Sequence, residues 1–341
     1  MSQSHINNIL KDMENKDFQG YLLADFSNIE YITAYKPTSF AFCIIKEDPV
    51  VFVSKMDLEI AKKDSSIEVK EFESFSNLID DIKGEIKNLA IEPTLQYETY
   101  EKFKDDFQIA GEKFINKQRA IKTSDEIFKI EEATEIAQQA FKQLNIIEKH
   151  QHGAREDMVA YELGGFMREN GGECESFDTI VTSGVNSSIP HAVPIAESLQ
   201  EPILIDWGTK YQGYCSDNTR TIVYGEKQHE IFDIVAEAHN KAIKAIKPGV
   251  KCCEIDKVAR DIIDEYGYGD NFIHSTGHSL GLDIHESPSF SAKDDTILEK
   301  GMVMTVEPGI YLEGEFGVRL EDTVEVTNIG KILGKLPLKI E

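Results

Sequence analysis

The chain lacks the features that would tie it to a membrane, an oxidising compartment or a nucleic acid. Its 341 residues contain no apolar run approaching the roughly 18 residues of a membrane span. The opening Met1-Ser-Gln-Ser-His-Ile-Asn-Asn8 has none of the basic-then-apolar form of a secretory signal. Cysteine is sparse: Cys43, Cys174, Cys215, Cys252 and Cys253 are an odd number without a C-x-x-C pair, and they read as free thiols in a reducing compartment. Positive charge is in deficit, 36 Lys and Arg against 61 Asp and Glu for a net −25, which argues against nucleic acid and anionic membrane as partners. No H-E-x-x-H helix is present to support that kind of zinc site, and the one G-x-S-x-G string, Gly277-His-Ser-Leu-Gly281, runs on into Leu-Asp-Ile-His-Glu-Ser-Pro288 rather than into a helix, so it is not a serine nucleophile elbow. Gly164-Gly165 has no strand–Gly-x-Gly–helix context and reads as close helix packing rather than a phosphate loop. No short-period repeat or low-complexity tract is found. The expectation is a soluble, cytoplasmic protein whose 41% hydrophobic content suffices for ordinary cores.

The length predicts two domains. Residues 1–118 read as an α/β unit. Strands are expected at Gly20–Ala24, Phe40–Ile45, Val50–Val53, Ile67–Phe72 and Leu89–Glu92, with helices near 55–63, 77–87 and 97–107, so a mixed sheet with helical cover follows. No cluster of histidine and acid occurs there. Residues 119–341 open on a helix with Ser124 as its expected N-cap and an apolar stripe at 127, 130, 136, 137, 140, 141, 144 and 147. Further helices are expected near 156–170, 228–246 and 254–266, each ended by glycine or proline-glycine. The domain shows a weak internal echo: each half has two helices and then a hairpin.

Five residues in this second domain read as ligands of a two-metal site: Asp206, Asp217, His278, Glu307 and Glu321. Each stands at or near the end of an apolar run followed by glycine or a turn, as in Ile203-Leu-Ile-Asp206-Trp-Gly and Met304-Thr-Val-Glu307-Pro-Gly. Asp206 and Asp217 flank the turn-rich Lys210–Gly213, and Glu307 and Glu321 flank Glu313–Gly317, so two hairpins can fold the acids to one side. Carboxylates can bridge two divalent ions about 3.5–4 Å apart and make the bridged water acidic enough to supply hydroxide. Oxygen donors with one imidazole suit Mn²⁺ or Co²⁺ first, and Zn²⁺ or Fe²⁺ as well. His191, His274, His278 and His285 all fall near these phrases. The seven-residue step from His278 to His285 would put them on opposite faces of one strand; Gly277 and Gly281 predict a bend that brings both to one cleft. Arg319 lies two residues before Glu321, on the same face of a strand.

From Ser124 onward these phrases, with Ser183–His191, Gly277–Pro288 and Glu307–Tyr311 in order, resemble the pita-bread metallopeptidase family (M24), and within it the Xaa-Pro peptidase branch of prolidase and aminopeptidase P. The resemblance implies a pseudo-two-fold domain with a curved antiparallel sheet and outer helices, five metal ligands as above, and bridging by Asp217 and Glu321. It implies catalytic roles for His191, His274, His285, Arg319 and Glu307, and pocket-lining roles for Tyr211 and Tyr311. It implies small peptide substrates with proline second, and a homodimer in which the N-terminal domain covers the neighbouring site. Glu286-Ser-Pro288-Ser289-Phe290 carries no arginine where several compact prolidases have one, which leaves Arg319 as the candidate for a substrate carboxylate and leaves dipeptidase and aminopeptidase both open. A methionine aminopeptidase, or a non-catalytic peptide-binding module of the same fold, are the alternatives. The first usually lacks the N-terminal domain; the second replaces the acidic ligands.

Overall fold

The computed structural model describes residues 2–340 and divides into two compact units, Met1–Arg119 and Ala120–Glu341. In the first unit the order is α1 (Ser2–Glu14), β1 (Gly20–Leu23), α2 (Phe26–Thr33), β2 (Ala41–Ile45), β3 (Val50–Val53), α3 (Leu58–Asp64), β4 (Glu68–Glu71), α4 (Phe75–Ile82), β5 (Asn88–Ile91), α5 (Tyr97–Phe103), β6 (Gln108–Gly111) and α6 (Phe114–Ala120). The six strands form one mixed sheet in the order β4-β3-β2-β1-β5-β6. Alternation sorts its side chains onto two buried faces. Tyr21, Leu23, Cys43, Ile45, Val51 and Val53 meet Ile6, Ile9 and Met13 of α1 and Ile29 and Ile32 of α2. Leu22, Phe42, Ile44, Val50 and Phe52 meet Leu78, Ile79 and Ile82 of α4 and Phe103 of α5. Burial on both faces is why β1, β2 and β3 are unbroken apolar runs. The five expected strands are present. Helices α1, α2 and α6 and strand β6 were not anticipated.

The second unit runs α7 (Ser124–Leu144), α8 (Ile146–Gln151), α9 (Glu156–Glu169), β7 (Ile180–Ser183), β8 (Ile203–Trp207), β9 (Lys210–Tyr211), β10 (Tyr214–Cys215), β11 (Asn218–Ile222), α10 (Glu226–Ala245), α11 (Cys252–Glu265), β12 (Gly277–Ser279), β13 (Glu286–Phe290), β14 (Val303–Val306), β15 (Gly309–Leu312), β16 (Phe316–Arg319), β17 (Asp322–Val326) and β18 (Gly330–Ile332). The cap of α7 is Thr123 rather than Ser124. Its hydroxyl accepts from the Glu126 amide while the Glu126 carboxylate accepts from the Thr123 amide, a reciprocal box that satisfies two otherwise orphaned donors. Helix α9 runs through Gly164-Gly165 without interruption. A Cβ on Gly164 would stand 3.0 Å from the Glu175 carboxylate, whereas one on Gly165 would meet nothing within 4 Å, so only the first glycine is held by packing, and against a loop rather than a helix.

The echo becomes a repeat. Helices α7 and α9 pack together over β7, β8 and β11 in one apolar cluster, and α10 and α11 over β13, β14, β16 and β17 in another. In each half an inner hairpin sits inside an outer antiparallel pair: β9/β10 inside β8/β11, and β15/β16 inside β14/β17. Trp207 locks the first half, donating from Nε1 to the Ala137 carbonyl at 2.8 Å and stacking on Phe141.

Candidate metal centre

The outer pairs of the two nested hairpins converge. Asp206 is in β8 opposite Thr219, and Asp217 immediately precedes β11. Glu307 follows β14, and Glu321 precedes β17. The halves meet where Thr219 bridges Glu321: the Glu321 amide donates to the Thr219 carbonyl at 3.1 Å, and the Thr219 hydroxyl donates to Glu321 Oε2 at 2.7 Å. His278 joins from β12, with Nε2 3.6 Å from Asp217 Oδ2 and 3.4 Å from Glu307 Oε1. Asp217, His278 and Glu321 present ligand atoms all within 4.8 Å of one another.

β12 reaches this position because residue 277 is glycine. A Cβ there would lie 2.0 Å from the Thr305 carbonyl oxygen, so only hydrogen lets β12 close onto β14. The β12–β13 hairpin then turns through Gly281, with a register shift after His278, and returns His285 to within 4.5 Å of the His278 ring, centroid to centroid. The opposed faces expected of a continuous strand are thereby reconciled, as the glycine pair predicted.

All five residues line one cavity of about 520 Å³, together with His191, His274, His285 and Arg319. Its apolar wall includes Phe177, Ile180, Val193, Pro194 and Ile284. Phe177 and Ile180 were missed by sequence reasoning; the available signal was the turn Ser176-Phe177-Asp178 just before the β7 run. Tyr311 is buried behind the wall. Its hydroxyl, pushed up to about 12 by burial, stays protonated; it accepts from Arg319 Nη1 at 2.8 Å and lies 2.9 Å from His274 Nε2. His274 Nδ1 is 2.8 Å from the Ser275 carbonyl, so in the neutral ring Nδ1–H donates there and Nε2 accepts from Tyr311. Tyr211 pairs with Tyr214 in the inner hairpin and is not among the lining residues. Arg319 is fully engaged: besides Tyr311 it donates from Nη2 to Asp206 Oδ2 at 2.5 Å, from Nε to the Thr219 hydroxyl at 3.2 Å and from Nη1 to the Pro190 carbonyl at 3.4 Å. It is the only Lys or Arg among the described residues of the lining, so no uncommitted cation faces the cavity.

Asp206 is paired with Arg319, and the remaining acids repel one another. Burial, then repulsion from Glu321, Asp206 and Glu307, holds the Asp217 carboxyl well above its ordinary range, and burial, then repulsion from Glu307 and Asp206, does the same to Glu321. Burial raises Glu307 as well and lowers His278, His274 and His285, which leaves neutral rings. His278 Nδ1 lies 3.1 Å from the Ser279 carbonyl, so its Nε2 lone pair points at the acids.

Comparison with known proteins decides the family. The model of metallopeptidase family M24 matches residues 129–328, and that of the creatinase/prolidase N-terminal domain matches residues 5–127. The chain belongs to family M24. It is 40% identical over 338 residues, 96% of each chain, to a Xaa-Pro dipeptidase of Pyrococcus furiosus. Among solved structures it is similar to a Xaa-Pro dipeptidase from Bacillus anthracis (34% identity, TM-score 0.94, covering 100% of this chain and 99% of that one) and to an X-Pro aminopeptidase from Thermotoga maritima (32%, TM-score 0.88, 98% of each).

The residues fit the divalent ions that membership in M24 implies. Asp206 Oδ1 and Glu321 Oε1 are buried with no hydrogen-bond partner. Such atoms are costly to leave unpaired, and both belong to the converging acids. Four carboxylates with neutral imidazoles also match the charge of two divalent cations, and the oxygen-rich donor set suits hard or borderline metals.

Proposed function

We propose that this chain is a metal-dependent exopeptidase that cleaves the peptide bond preceding proline, with Asp206, Asp217, His278, Glu307 and Glu321 holding two divalent ions. The observation that carries the reading is the convergence of these five side chains, two of them with orphaned buried oxygens, on one cavity with an apolar wall. Ions bound there supply Lewis-acid polarisation of the scissile carbonyl and acidify water near neutral pH. The chain's own residues do the rest. His191 and His285 are exposed at the cavity with no hydrogen-bond partner among the described residues, so an imidazole N–H there can donate to the developing oxyanion or pass a proton to the prolyl nitrogen. Glu307, raised in pKa by burial and hydrogen-bonded by Thr305 at 3.2 Å, takes a proton from water in this reading and releases it to the leaving amine. His274 and Arg319, tied through Tyr311, hold Asp206 and the wall in position rather than reach for substrate. Phe177, Ile180 and Ile284 offer the apolar surface a pyrrolidine ring needs.

Mn²⁺ or Co²⁺ as the native ions, a homodimer and a reducing, cytoplasmic setting complete the proposal; the five free thiols support the last. Dipeptides are favoured by the names of the similar proteins, while the absence of a free cation in the lining favours tolerance of longer Xaa-Pro peptides. Mn²⁺-reconstituted protein is to be assayed on Ala-Pro, Ala-Pro-Ala and Met-Ala-Ser. Hydrolysis of either proline substrate supports the proposal, the ratio between them sets the length preference, and product from Met-Ala-Ser alone would overturn it.

A further inference from the structure

Behind the metal ligands lies a buried strut that neither the motifs nor the family reading singled out. Arg220, on β11 three residues after Asp217, is fully buried. Each of its five N–H groups has its own acceptor. Nε donates to the Pro337 carbonyl at 2.8 Å; Nη1 donates to the Thr219 carbonyl at 2.9 Å and the Glu321 carbonyl at 2.5 Å; Nη2 donates to the Leu336 carbonyl at 2.8 Å and Asp322 Oδ1 at 2.7 Å. The chain's last segment is gripped from the other side by Gln138 of α7. Gln138 Oε1 accepts from the Lys335 and Leu336 amides at 2.8 and 3.0 Å, and its Nε2 donates to Asn218 Oδ1 at 3.1 Å. The segment's upstream end is held where the Leu333 amide donates to the Thr323 carbonyl at 2.8 Å.

This geometry brackets the junction between the two halves. Arg220 Nη1 spans both carbonyls of the Thr219–Glu321 bridge, while its far edge rests on residues 336 and 337. Asp322 pairs the guanidinium charge, so the residue supplies little net field to the acids. What it supplies is a fixed spacing between the strand after Asp217 and the strand after Glu321. A planar fork of five donors matches five acceptors, a match that lysine with three donors cannot make.

We propose that Arg220 is a positioning residue for the metal centre, and that the C-terminal strap Leu333–Pro337, on which it is seated, sets the separation of Asp217 from Glu321. The proposal rests on the two-ion reading above. Two variants of the full-length protein test it. Arg220→Lys has three donors for the five acceptors and so loses at least two of these hydrogen bonds. Gly334→Ala leaves Arg220 intact but moves the strap, because residue 334 has φ +95° and an added Cβ would lie 2.4 Å from Gln138 Nε2. Chelator-treated protein is titrated with Mn²⁺ by calorimetry, and the bound ions are followed by electron paramagnetic resonance. Both variants are expected to bind the weaker Mn²⁺ about 10- to 100-fold less tightly, and to show isolated Mn²⁺ at concentrations where the wild type shows an exchange-coupled pair. The double variant is expected to be no worse than the poorer single one, since both act through one contact. If Arg220→Lys does not fold, Gly334→Ala decides. A fall in melting temperature with unchanged Mn²⁺ affinities and an unchanged coupled spectrum means that the strut is merely structural, and overturns the proposal. A wild type that binds no Mn²⁺ pair would instead remove the two-ion reading itself.

Discussion

The hairpin pair β8–β11 and the hairpin pair β14–β17 are built alike and deliver different chemistry. In each, an acid stands within one residue of the end of the first outer strand and is followed at the second position by glycine, Asp206-Trp-Gly208 and Glu307-Pro-Gly309, and a second acid directly precedes the last outer strand. The first half supplies two aspartates and the second two glutamates. What accompanies them also differs. Beside β8, strand β7 leads through a short 3-10 helix, Gly184–Ser188, into a loop carrying the exposed His191. Beside β14, strand β12 turns straight back as β13 and sets the His278 and His285 rings together. A duplicated scaffold thus sets the acids symmetrically, and the departure from symmetry brings the His278 and His285 imidazoles beside them.

The comparison breaks most completely by removing one acid from each half. Asp217→Ala and Glu321→Ala are each expected to drop Xaa-Pro hydrolysis to background and to lose metal, as measured by turnover and elemental analysis; equal residual activity in either variant would deny that half its role. Next comes the asymmetric part. His285→Ala is expected to cost about 10²–10⁴ in kcat, the usual range for a positioned proton carrier, with two ions still bound; loss of metal instead would make His285 a ligand. Smaller effects are expected at the glycines that let each half close. A Cβ on Gly277 would lie 2.0 Å from the Thr305 carbonyl, and one on Gly208 would lie 1.9 Å from the Ser216 carbonyl. Alanine at either is expected to destabilise by about 1–3 kcal/mol in denaturant melts, and to weaken metal binding, Gly277→Ala by displacing His278 and Gly208→Ala by displacing Asp217, which follows Ser216 directly.

The subtlest effect is on pH dependence without metal. Asp217 and Glu321 have native carboxyl pKa values raised by burial and mutual repulsion. The native state therefore keeps protons that the unfolded chain has released, so stability falls as pH rises from the ordinary carboxylate range near ~4 toward the raised native values. In chelator-treated protein the melting temperature of wild type, relative to Asp217→Asn/Glu321→Gln, is expected to decline across that interval. Saturating Mn²⁺, which requires the ionised acids, is expected to abolish the decline. A relative melting temperature that climbs with pH in the chelated state would contradict the buried acid cluster.

The convergence of the four acids and His278 on one cavity was legible because each stands at or near the end of an apolar run, and five such phrases in one order outweigh the abundance of acids elsewhere. The central strands of the first unit were legible for the same reason, being buried on both faces. What escaped notice was what tertiary context decides. Helix α2 is eight residues long with Ile29 and Ile32 as its main buried apolar contacts, and β6 is an edge strand with no fully buried residue. Helix α1 carries an apolar spacing of Ile6, Ile9 and Met13, but it is diluted by polar neighbours. Arg220, Lys122 and Glu286 are charged and nearly wholly buried at their side chains; Lys122 Nζ reaches the Ser279 hydroxyl at 2.8 Å and Glu286 at 3.3 Å beneath the His278–His285 turn. Composition places such residues on the surface, and only the acceptors brought by distant segments explain their burial. Tyr211 and Tyr311, which the resemblance put at the pocket, are not among its lining residues: Tyr211 pairs in the inner hairpin, and Tyr311 is buried against Arg319 and His274.

Crystals soaked in Mn²⁺ and measured for anomalous scattering would test the convergence directly. Two peaks about 3.5–4 Å apart, between the Asp217 and Glu321 carboxylates, with Asp206, His278 and Glu307 completing the shells, are the expected result. A protein that takes up Mn²⁺ only elsewhere, or leaves these five side chains without any peak, would contradict it.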